Sequence, residues 1–233
     1  SYMVISDGTR LVKHATSDDN KRAGDNDEGP NTAGKGAHTP ALVIPPGPSR
    51  LILETVVRRA IAGMAAEGRE YRGVLYAGLM LTSDGPKVLE FNCRLGDPET
   101  QATFLRLDDN FAEIARDAAD GALEVRNMNW RKEAVACVVL AAEGYPGSPR
   151  KGDEIHGIDN AMALSGVTVY HAGTRLEDEK LVASGGRVLS VCGRGSTLSE
   201  ALDTAYEGVS KISFDGMWYR SDIGRDTLTK LGT

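Results

Sequence analysis

The alternation of apolar and polar residues predicts an antiparallel hairpin in the middle of the chain. An apolar run over 74–81 is followed by the turn-forming stretch Ser83-Asp84-Gly85-Pro86, and residues 87–91 then alternate between polar and apolar. Such runs separated by glycine and proline are typical of a hairpin. The start of the chain shows the same pattern, with a strand over 1–8 and a returning strand over 9–14. Because strand edges of this kind are normally covered, we expect the chain to be part of a longer polypeptide.

Apolar residues at helical spacing predict helices in the first half, and shorter apolar runs predict strands in the second half. The helices are expected over 49–66, 100–107 and 110–120. The strands are expected over 134–142, 167–173, 180–184 and 187–193, before a last helix over 196–211 that Ser196 would cap. This order of elements predicts an α+β protein. Polar residues interrupt the apolar pattern near 124–131, so we expect one domain over 1–126 and a small α+β domain over 127–233.

A polar segment over 16–48, rich in glycine, aspartate and proline, separates the first hairpin from the first helix. It shows neither a strand nor a helix pattern, so we predict a loop. A structureless segment of this length inside a domain is usually disordered or functional. The stretch Gly29–Gly36 favours a function, because glycine-rich turns let backbone N–H groups approach an anionic ligand. A solvated flexible loop is the alternative that this pattern leaves open.

Composition and charge narrow the classes of function. The chain has 233 residues, of which 41% are hydrophobic, and its net charge is −6. This composition is typical of a globular protein, and the negative charge argues against a nucleic-acid partner. Three widely spaced cysteines argue against a disulfide framework and for a reducing compartment. No apolar run approaches the roughly 20 residues of a membrane span, so we expect a cytoplasmic protein without a membrane partner.

The candidate chemistry lies at the end of the predicted central hairpin. Strand alternation places Glu90 and Asn92 on one face, and Arg94 follows at the same spacing. A carboxylate and an amide oxygen two residues apart suit a hard divalent cation such as Mg²⁺ or Mn²⁺. The guanidinium of Arg94 adds a planar donor for a phosphate or carboxylate. A strand end with solvated polar residues is the alternative, but the turn Gly96-Asp97-Pro98-Glu99 that follows favours a metal–phosphate site.

An ordered series of motifs runs along the chain. In the first half these are Lys21-Arg22, Gly29-Pro30-Asn31-Thr32, Gly36-Ala37, Tyr71 through Leu81, Glu90-Phe91-Asn92, Arg94, and Gly96 through Glu99. In the second half they are Gly144 through Gly147, His171 through Thr174, Ser184 through Leu189, and Phe214 through Met217. Together they resemble the phosphoribosylamine–glycine ligase family, whose members are ATP-grasp enzymes of purine biosynthesis. The resemblance covers essentially the whole chain.

This resemblance implies a fold and a reaction. The first domain would be the carboxyl-terminal part of an ATP-grasp module, and 127–233 would be the carboxyl-terminal domain of the synthetase. ATP would phosphorylate the carboxylate of glycine, and the amine of 5-phosphoribosylamine would then displace phosphate to give glycinamide ribonucleotide. The remaining partner would be the amino-terminal part of the same polypeptide, which the family has and this chain lacks. We therefore expect the chain alone to be inactive.

The resemblance also implies roles for single residues. Glu90 and Asn92 would ligate the divalent metal that bridges the phosphates of ATP, and Arg94 would complete the nucleotide-binding set. Arg94 and Asp97 would be catalytic. The substrate-binding residues would be Lys21, Arg22, Asp25, Asp27, Asn31, Thr32 and Gly34.

Five positions depart from the family pattern. The family has histidine at the position of Asn20 and commonly tyrosine or phenylalanine at the position of His38. The family has glycine at the positions of Asn26 and Ala33, and methionine at the position of Lys35. Alanine would be strained at 33 if that position required a positive φ. Lys35 would bring a positive charge into a neutral turn, where we expect it to lie near substrate anions.

Two other interpretations are weighed against this one. Another ATP-grasp member, such as a biotin-carboxylase-like or aminoimidazole-ribonucleotide carboxylase chain, would also carry an acid-x-Asn pair on a strand. Those chains do not continue into Arg-x-Gly-Asp-Pro-Glu, which this sequence has over 94–99. A non-catalytic remnant that keeps the architecture would be expected to have degenerate site residues, whereas the acid, amide and arginine of this motif are intact.

Overall fold

The computed structural model describes residues 1–41 and 46–232, except for the side chains at 46 and 231. The chain forms two compact units. The first unit consists of Ser1–Ser17, Ala41–Gly96 and Leu107–Arg131, and the second of Asp18–Pro40, Asp97–Arg106 and Lys132–Thr233. Each unit is therefore assembled from separate stretches of the sequence.

The described part of the chain contains both strands and helices. The strands are β1 (Tyr2–Asp7), β2 (Leu11–Lys13), β3 (Asp18–Arg22), β4 (Asn31–Thr39), β5 (Arg72–Thr82), β6 (Gly85–Asn92), β7 (Ala134–Ala141), β8 (Val167–His171), β9 (Thr174–Glu177), β10 (Lys180–Ala183) and β11 (Arg187–Gly195). The α-helices are α1 (Pro46–Ile52), α2 (Arg58–Ala66), α3 (Glu99–Phe104), α4 (Phe111–Ala119), α5 (Ile158–Met162), α6 (Leu198–Val209) and α7 (Arg225–Leu231). A π-helical turn, Leu53–Val57, joins α1 to α2, and a 3₁₀ turn, Asp25–Asp27, lies between β3 and β4.

A four-stranded antiparallel sheet, in the order β2-β1-β5-β6, forms the centre of the first unit. Alternation along β1 directs Tyr2 and Val4 to one face, where they belong to the same apolar cluster as Ile52 of α1. Ile5 faces the other side and clusters with Ile114 of α4. Helices thus cover both faces at the centre of the sheet, whereas β6 forms one of its edges.

Five antiparallel strands, in the order β3-β4-β7-β11-β8, form the main sheet of the second unit, and β9 pairs with β10 separately. Helix α6 packs on β7 and β11, and the three elements supply much of one apolar core. Gly193 of β11 permits this close approach, because a Cβ there would lie 2.2 Å from the backbone nitrogen of Ala205. The α+β class predicted from the sequence is confirmed.

Most predicted elements are confirmed within a few residues. Both hairpins are present, the helix over 49–66 appears as α1, the π-helical turn and α2, and the strand over 134–142 is β7. The sequence pattern misses the short elements β9, α5 and α7. None of the described helices is long and apolar enough to cross a membrane.

The predicted loop over 16–48 is wrong where that segment forms β3 and β4. The sequence Asn31-Thr-Ala-Gly-Lys-Gly-Ala-His-Thr39 carries no large apolar side chain that would reveal a strand. It becomes a strand because residues 36–39 pair with 135–138 of the apolar strand β7, so tertiary context overrides a weak local preference. Residues 42–45 of the predicted loop lie outside the described part of the chain.

Helix α6 is capped by Thr197, not by Ser196 as the pattern predicts. Oγ1 of Thr197 accepts a hydrogen bond from the backbone N–H of Glu200 at 3.2 Å. The Glu200 carboxylate in turn accepts the backbone N–H of Ser196 at 2.9 Å. The arrangement is similar to a capping box, but the glutamate reaches the residue before the cap and not the cap itself.

Candidate functional site

The candidate metal ligands lie on β6, the edge strand of the first unit. Glu90 pairs with Gly78 and Asn92 with Tyr76 of β5, so the structure brings both side chains to one face of the sheet. The pairing shifts just before them, where Leu89 is the extra residue on β6. Such a bulge redirects the side chains that follow it.

Gly78 leaves the space that the side chain of Glu90 occupies. A Cβ at Gly78 would lie 3.0 Å from Cγ and 3.5 Å from Oε1 of Glu90. Glu90 is exposed and Asn92 is half-buried. A carboxylate and an amide on this face fit a divalent cation that binds two protein oxygens and fills its other positions with water or phosphate. Within the described residues no group of three or more His, Cys, Asp or Glu is arranged to hold a metal.

The end of β6 has exposed apolar side chains, and the positively charged side chain of Arg94 follows them in the sequence. Arg94 is exposed, and its Nη1 donates to the backbone carbonyl of Leu95 at 2.9 Å. Val88, Leu89 and Phe91 of β6 are 42%, 60% and 45% exposed. We call these three residues the apolar strip. Large apolar side chains on a sheet edge are usually covered by another segment or chain.

Asp97 lies in the second unit, shortly before α3. Nη1 of Arg187, on β11, forms an ion pair with Oδ1 of Asp97 at 3.1 Å. Nε2 of Gln101 donates to the same oxygen at 2.9 Å. The side chain of Asp97 is nevertheless 46% exposed. Two donors therefore fix a carboxylate that solvent still reaches.

Gly34 of β4 lies directly against the backbone of 97–98, which follows β6 in the sequence. Its φ is +112°, and a Cβ there would lie 2.5 Å from Cδ of Pro98 and 3.1 Å from the carbonyl oxygen of Asp97. Glycine is needed here both for the backbone conformation and for space. The neighbouring Ala33 is not among the residues with a positive φ, so the strain considered for alanine at that position does not arise.

We expect Gly34→Ala to destabilise the protein by about 2–4 kcal/mol, since the substitution adds a strained φ to a steric overlap. Ala33→Gly restores the family residue next to it and should change the free energy of unfolding by no more than about 1 kcal/mol. Urea denaturation of both variants measures the difference. Wild-type stability of Gly34→Ala would show that the two segments are not in the contact described.

Other predicted substrate-binding residues lie on and between β3 and β4. Oγ1 of Thr32 donates to the carbonyl of Lys21 at 2.8 Å and accepts the backbone N–H of Gly34 at 3.0 Å. Nη1 of Arg22 donates to the backbone carbonyl of Gly29, in the connection between β3 and β4, at 2.7 Å. The side chain of Asn31 is exposed. These contacts define the shape of the connection and leave Asn31 at its surface.

The carboxylates of Asp25 and Asp27 hold the 3₁₀ turn to a segment near the end of the chain. Oδ1 of Asp27 accepts a hydrogen bond from Nη1 of Arg220 at 2.7 Å. Oδ1 of Asp25 accepts the backbone N–H of Ser221 at 2.9 Å, and its Oδ2 accepts the hydroxyl of the same serine. Both predicted substrate-binding carboxylates therefore have protein partners that fix the turn.

The turn itself has an unusual backbone. Asn26 and Asp27 both adopt left-handed conformations, with φ of +57° and +55°, and Asn26 is where the family pattern has glycine. Asp222 accepts the backbone N–H of Asn26 at 2.7 Å and pairs with Nε of Arg220 at 2.7 Å. Although burial opposes ionisation, the bonds from Arg220 and Asn26 hold the pKa of Asp222 at about 2. The ionised carboxylate thus stabilises a strained turn.

Sequence reasoning missed three residues that position these segments: Arg187, Arg220 and Asp222. Arg187 stands in one of the stretches that resemble the family, so a signal for it was present. The pairing of Arg220 with Asp27 spans 193 residues. No local pattern connects two positions so far apart.

Lys35 lies inside the second unit, so its predicted position near substrate anions is wrong. The side chain is 0% exposed. Its Nζ donates to the carbonyl of Val139 at 3.2 Å and lies 3.6 Å from the centre of a Trp218 ring. Burial, together with the positive charges of Arg187 and Arg220, lowers the pKa of Lys35 to about 7.

We expect Lys35→Met to be more stable than the wild-type chain at pH 7, because it removes a buried amine. The folded-state pKa of Lys35 is below its ordinary value of 10.5, so the unfolded chain binds more protons between about pH 7 and 10 and the wild type gains stability as pH rises. The advantage of Lys35→Met should therefore shrink by up to about 1.4 kcal/mol per pH unit. Urea denaturation at pH 7, 8 and 9 measures it, and a constant difference would contradict the buried amine.

Two carboxyl groups lie buried near Gly34. Glu99 is 2% exposed, and Oδ1 of Asp19 is buried 3.1 Å from the position of a Cβ on Gly34. Burial and the nearby Glu99 carboxylate raise the pKa of Asp19 well above its usual range, although the charges of Lys21 and Arg187 oppose the shift. Asp19 is therefore a group that can carry a proton. The sequence pattern did not single it out.

Two family models match successive parts of the chain. Residues 1–100 match the model described as phosphoribosylglycinamide synthetase, ATP-grasp (A) domain. Residues 135–226 match the model described as phosphoribosylglycinamide synthetase, C domain. Both models describe domains of one synthetase, and together they cover most of the chain.

Curated relatives agree with these matches. The phosphoribosylamine–glycine ligase of Vibrio parahaemolyticus is 45% identical over 231 residues, which are 99% of this chain and 54% of the relative. The ligase of Caulobacter vibrioides is 49% identical over 226 residues, which are 96% of this chain and 53% of the relative. The chain thus spans about half the length of the curated relatives it matches.

Solved structures extend the comparison to the fold. The phosphoribosylamine–glycine ligase of Thermotoga maritima superposes with a TM-score of 0.84 at 37% identity, over 95% of this chain and 54% of that one. A biotin carboxylase subunit of pyruvate carboxylase gives a TM-score of 0.63 at 14% identity, over 92% of this chain and 45% of that one. The second similarity shows a shared fold alone. With two successive domain models of one synthetase and ligase relatives along almost its whole length, the chain belongs to the phosphoribosylglycinamide synthetase family.

Proposed function

We propose that this chain takes part in the ATP-dependent ligation of glycine to 5-phosphoribosylamine, which yields glycinamide ribonucleotide, ADP and phosphate in purine biosynthesis. The observation that carries the proposal is the pair Glu90 and Asn92 on one face of β6, in a chain of this family. Phosphorylation of the glycine carboxylate would come first. Attack by the amine of 5-phosphoribosylamine on the resulting acyl phosphate would then form the amide.

Glu90 and Asn92 would hold a divalent cation, either Mg²⁺ or Mn²⁺, with ATP as the co-substrate. Both metals accept oxygen ligands and keep positions for water and phosphate, which suits two ligands on an exposed edge strand. When bound, the cation would neutralise charge on the phosphates during transfer. Arg94, which is exposed just after the strand, would donate to the phosphate or acyl-phosphate oxygens.

The second unit would bind glycine and the ribosyl substrate. Asp97, fixed by two donors but still exposed, would act at the reacting groups as a catalytic residue. Asp25 and Asp27 would contribute by shaping the turn that they hold to 220–222. The polar surface of the β3–β4 connection would be supplied by Lys21, Arg22, Asn31, Thr32 and the backbone of Gly34.

The remaining partner would be the amino-terminal half of a full-length ligase of this family. The curated relatives are about twice as long as the part that they share with this chain. We propose 1–126 as the carboxyl-terminal portion of the ATP-grasp domain and 127–233 as the synthetase's carboxyl-terminal domain. Three free thiols, at Cys93, Cys137 and Cys192, support a location in the reducing environment of the cytoplasm.

The proposal is tested with a full-length ligase of the family that contains this chain. Purified protein should release ADP only when glycine and 5-phosphoribosylamine are both present with ATP and Mg²⁺ or Mn²⁺. Omitting each substrate in turn is the control. Full ADP release with bicarbonate in place of glycine would instead assign the chain to a carboxylase of the same fold.

A further inference from the structure

Arg187 joins two segments of the second unit that are far apart in the sequence. Its Nη1 donates to the backbone carbonyl of Asp97 at 2.8 Å and to that of Ala33 at 3.0 Å. The same nitrogen forms the ion pair with Oδ1 of Asp97 at 3.1 Å. Only 18% of the Arg187 side chain is exposed. One largely buried guanidinium therefore meets the backbone and the side chain of Asp97 as well as β4.

These acceptors converge where two segments are in direct contact. The Cα of Gly34 approaches the Asp97-Pro98 backbone so closely that a Cβ would overlap Pro98. Carbonyl and carboxylate oxygens brought together in this way repel one another, and a donor placed between them offsets that repulsion. A guanidinium suits this task, since its charge strengthens each hydrogen bond.

We propose that Arg187 is a positioning residue for the ligation reaction, which fixes the Asp97 carboxylate relative to the backbone of Ala33 and Gly34. This inference rests on the proposed function, in which Asp97 is catalytic and Gly34 binds substrate. Arg187 acts through these residues and not on the substrate itself. Its loss should therefore lower kcat and raise KM for glycine or 5-phosphoribosylamine, while the KM for ATP stays unchanged.

The test uses Arg187→Met and Arg187→Lys in a ligase of full family length that carries this chain. We expect Arg187→Met to lower kcat/KM for 5-phosphoribosylamine at least about 10-fold. Arg187→Lys should recover part of that loss, because lysine keeps the charge but lacks the planar fork. Arg175→Met is the matched control: Arg175, on β9, pairs with Glu177, so its removal should leave kcat and all three KM values unchanged.

A double-mutant cycle with Asp97→Ala separates positioning from a merely structural role. If Arg187 acts through Asp97, Arg187→Met should reduce kcat less in the Asp97→Ala background than in the wild-type background. Independent, multiplicative losses of kcat would overturn the inference, as would an Arg187→Met variant that behaves like Arg175→Met. If Arg187→Met does not fold, Arg187→Lys decides, because wild-type KM and kcat from it would also overturn the inference. A wild-type ligase that forms no product would refute the proposed function instead.

Discussion

Replacing Glu90 by glutamine is expected to lower the turnover of a ligase that carries this chain by at least about 100-fold, while the protein remains folded. Glu90 is exposed on the edge strand β6, and glutamine has nearly the same shape, so no core is disturbed. The substitution removes the negative charge that would hold the cation. Each loss of about 1.4 kcal/mol in transition-state stabilisation lowers the rate tenfold. Steady-state kcat across a Mg²⁺ and a Mn²⁺ titration measures the effect.

Glu67→Gln is the matched control for this experiment. Glu67 is also exposed and belongs to the first unit, just after α2, so the same change of charge should leave turnover unchanged. Thermal unfolding of both variants should match that of the wild type. Near-normal turnover of Glu90→Gln at low Mg²⁺ would refute the assignment of Glu90 as a metal ligand.

The elements that could be predicted from the sequence are those whose signal is local. The β5–β6 hairpin follows from a run of alternating residues around the turn residues Ser83 and Asp84, and the structure pairs the two strands across that turn. The helix over 49–66 follows from apolar spacing on one face, which packs on the sheet of the first unit. In both cases the pattern that predicts the element lies within the element's own residues.

Strand β4 could not be predicted, because what makes it a strand lies elsewhere in the chain. Its residues are small or polar, and its apolar partner β7 lies about one hundred residues further on. The same long-range pairing decides the position of Lys35. Strand β4 carries that side chain into the interior of the second unit, against Trp218, whereas the glycine-rich sequence around it suggested an exposed turn.

Some residues of the candidate site could likewise be predicted from a local pattern, and others could not. The spacing of Glu90 and Asn92 is visible in the sequence, since it requires only one strand. The positioning of Asp97 by Arg187 and of Asp27 by Arg220 depends on contacts across the fold of the second unit. Such contacts have no local pattern, so sequence reasoning finds the groups that would meet the substrate more readily than the groups that hold them.

The 233-residue chain on its own is expected to form no detectable glycinamide ribonucleotide. It spans 54% of the length of the Vibrio parahaemolyticus ligase, so half of the family's sequence is absent from it. Phosphoryl transfer requires that the nucleotide be clamped and water excluded, whereas Glu90 lies exposed on an edge strand. We expect metal–ATP to bind this chain only in the millimolar range, which corresponds to about −4 kcal/mol.

Glycine- and 5-phosphoribosylamine-dependent ADP release by the purified chain, beside a ligase of full family length that carries it, provides the measurement. The apolar strip of Val88, Leu89 and Phe91 could make the isolated chain associate, so its oligomeric state is measured by light scattering in the same buffer. Only inactivity of the monomeric chain supports the prediction, because association through β6 would cover the candidate site on that strand. Turnover by the monomeric chain comparable to that of the full-length ligase would show that β6 and the second unit complete the site by themselves, and that the remaining half of the family's length does not clamp the nucleotide.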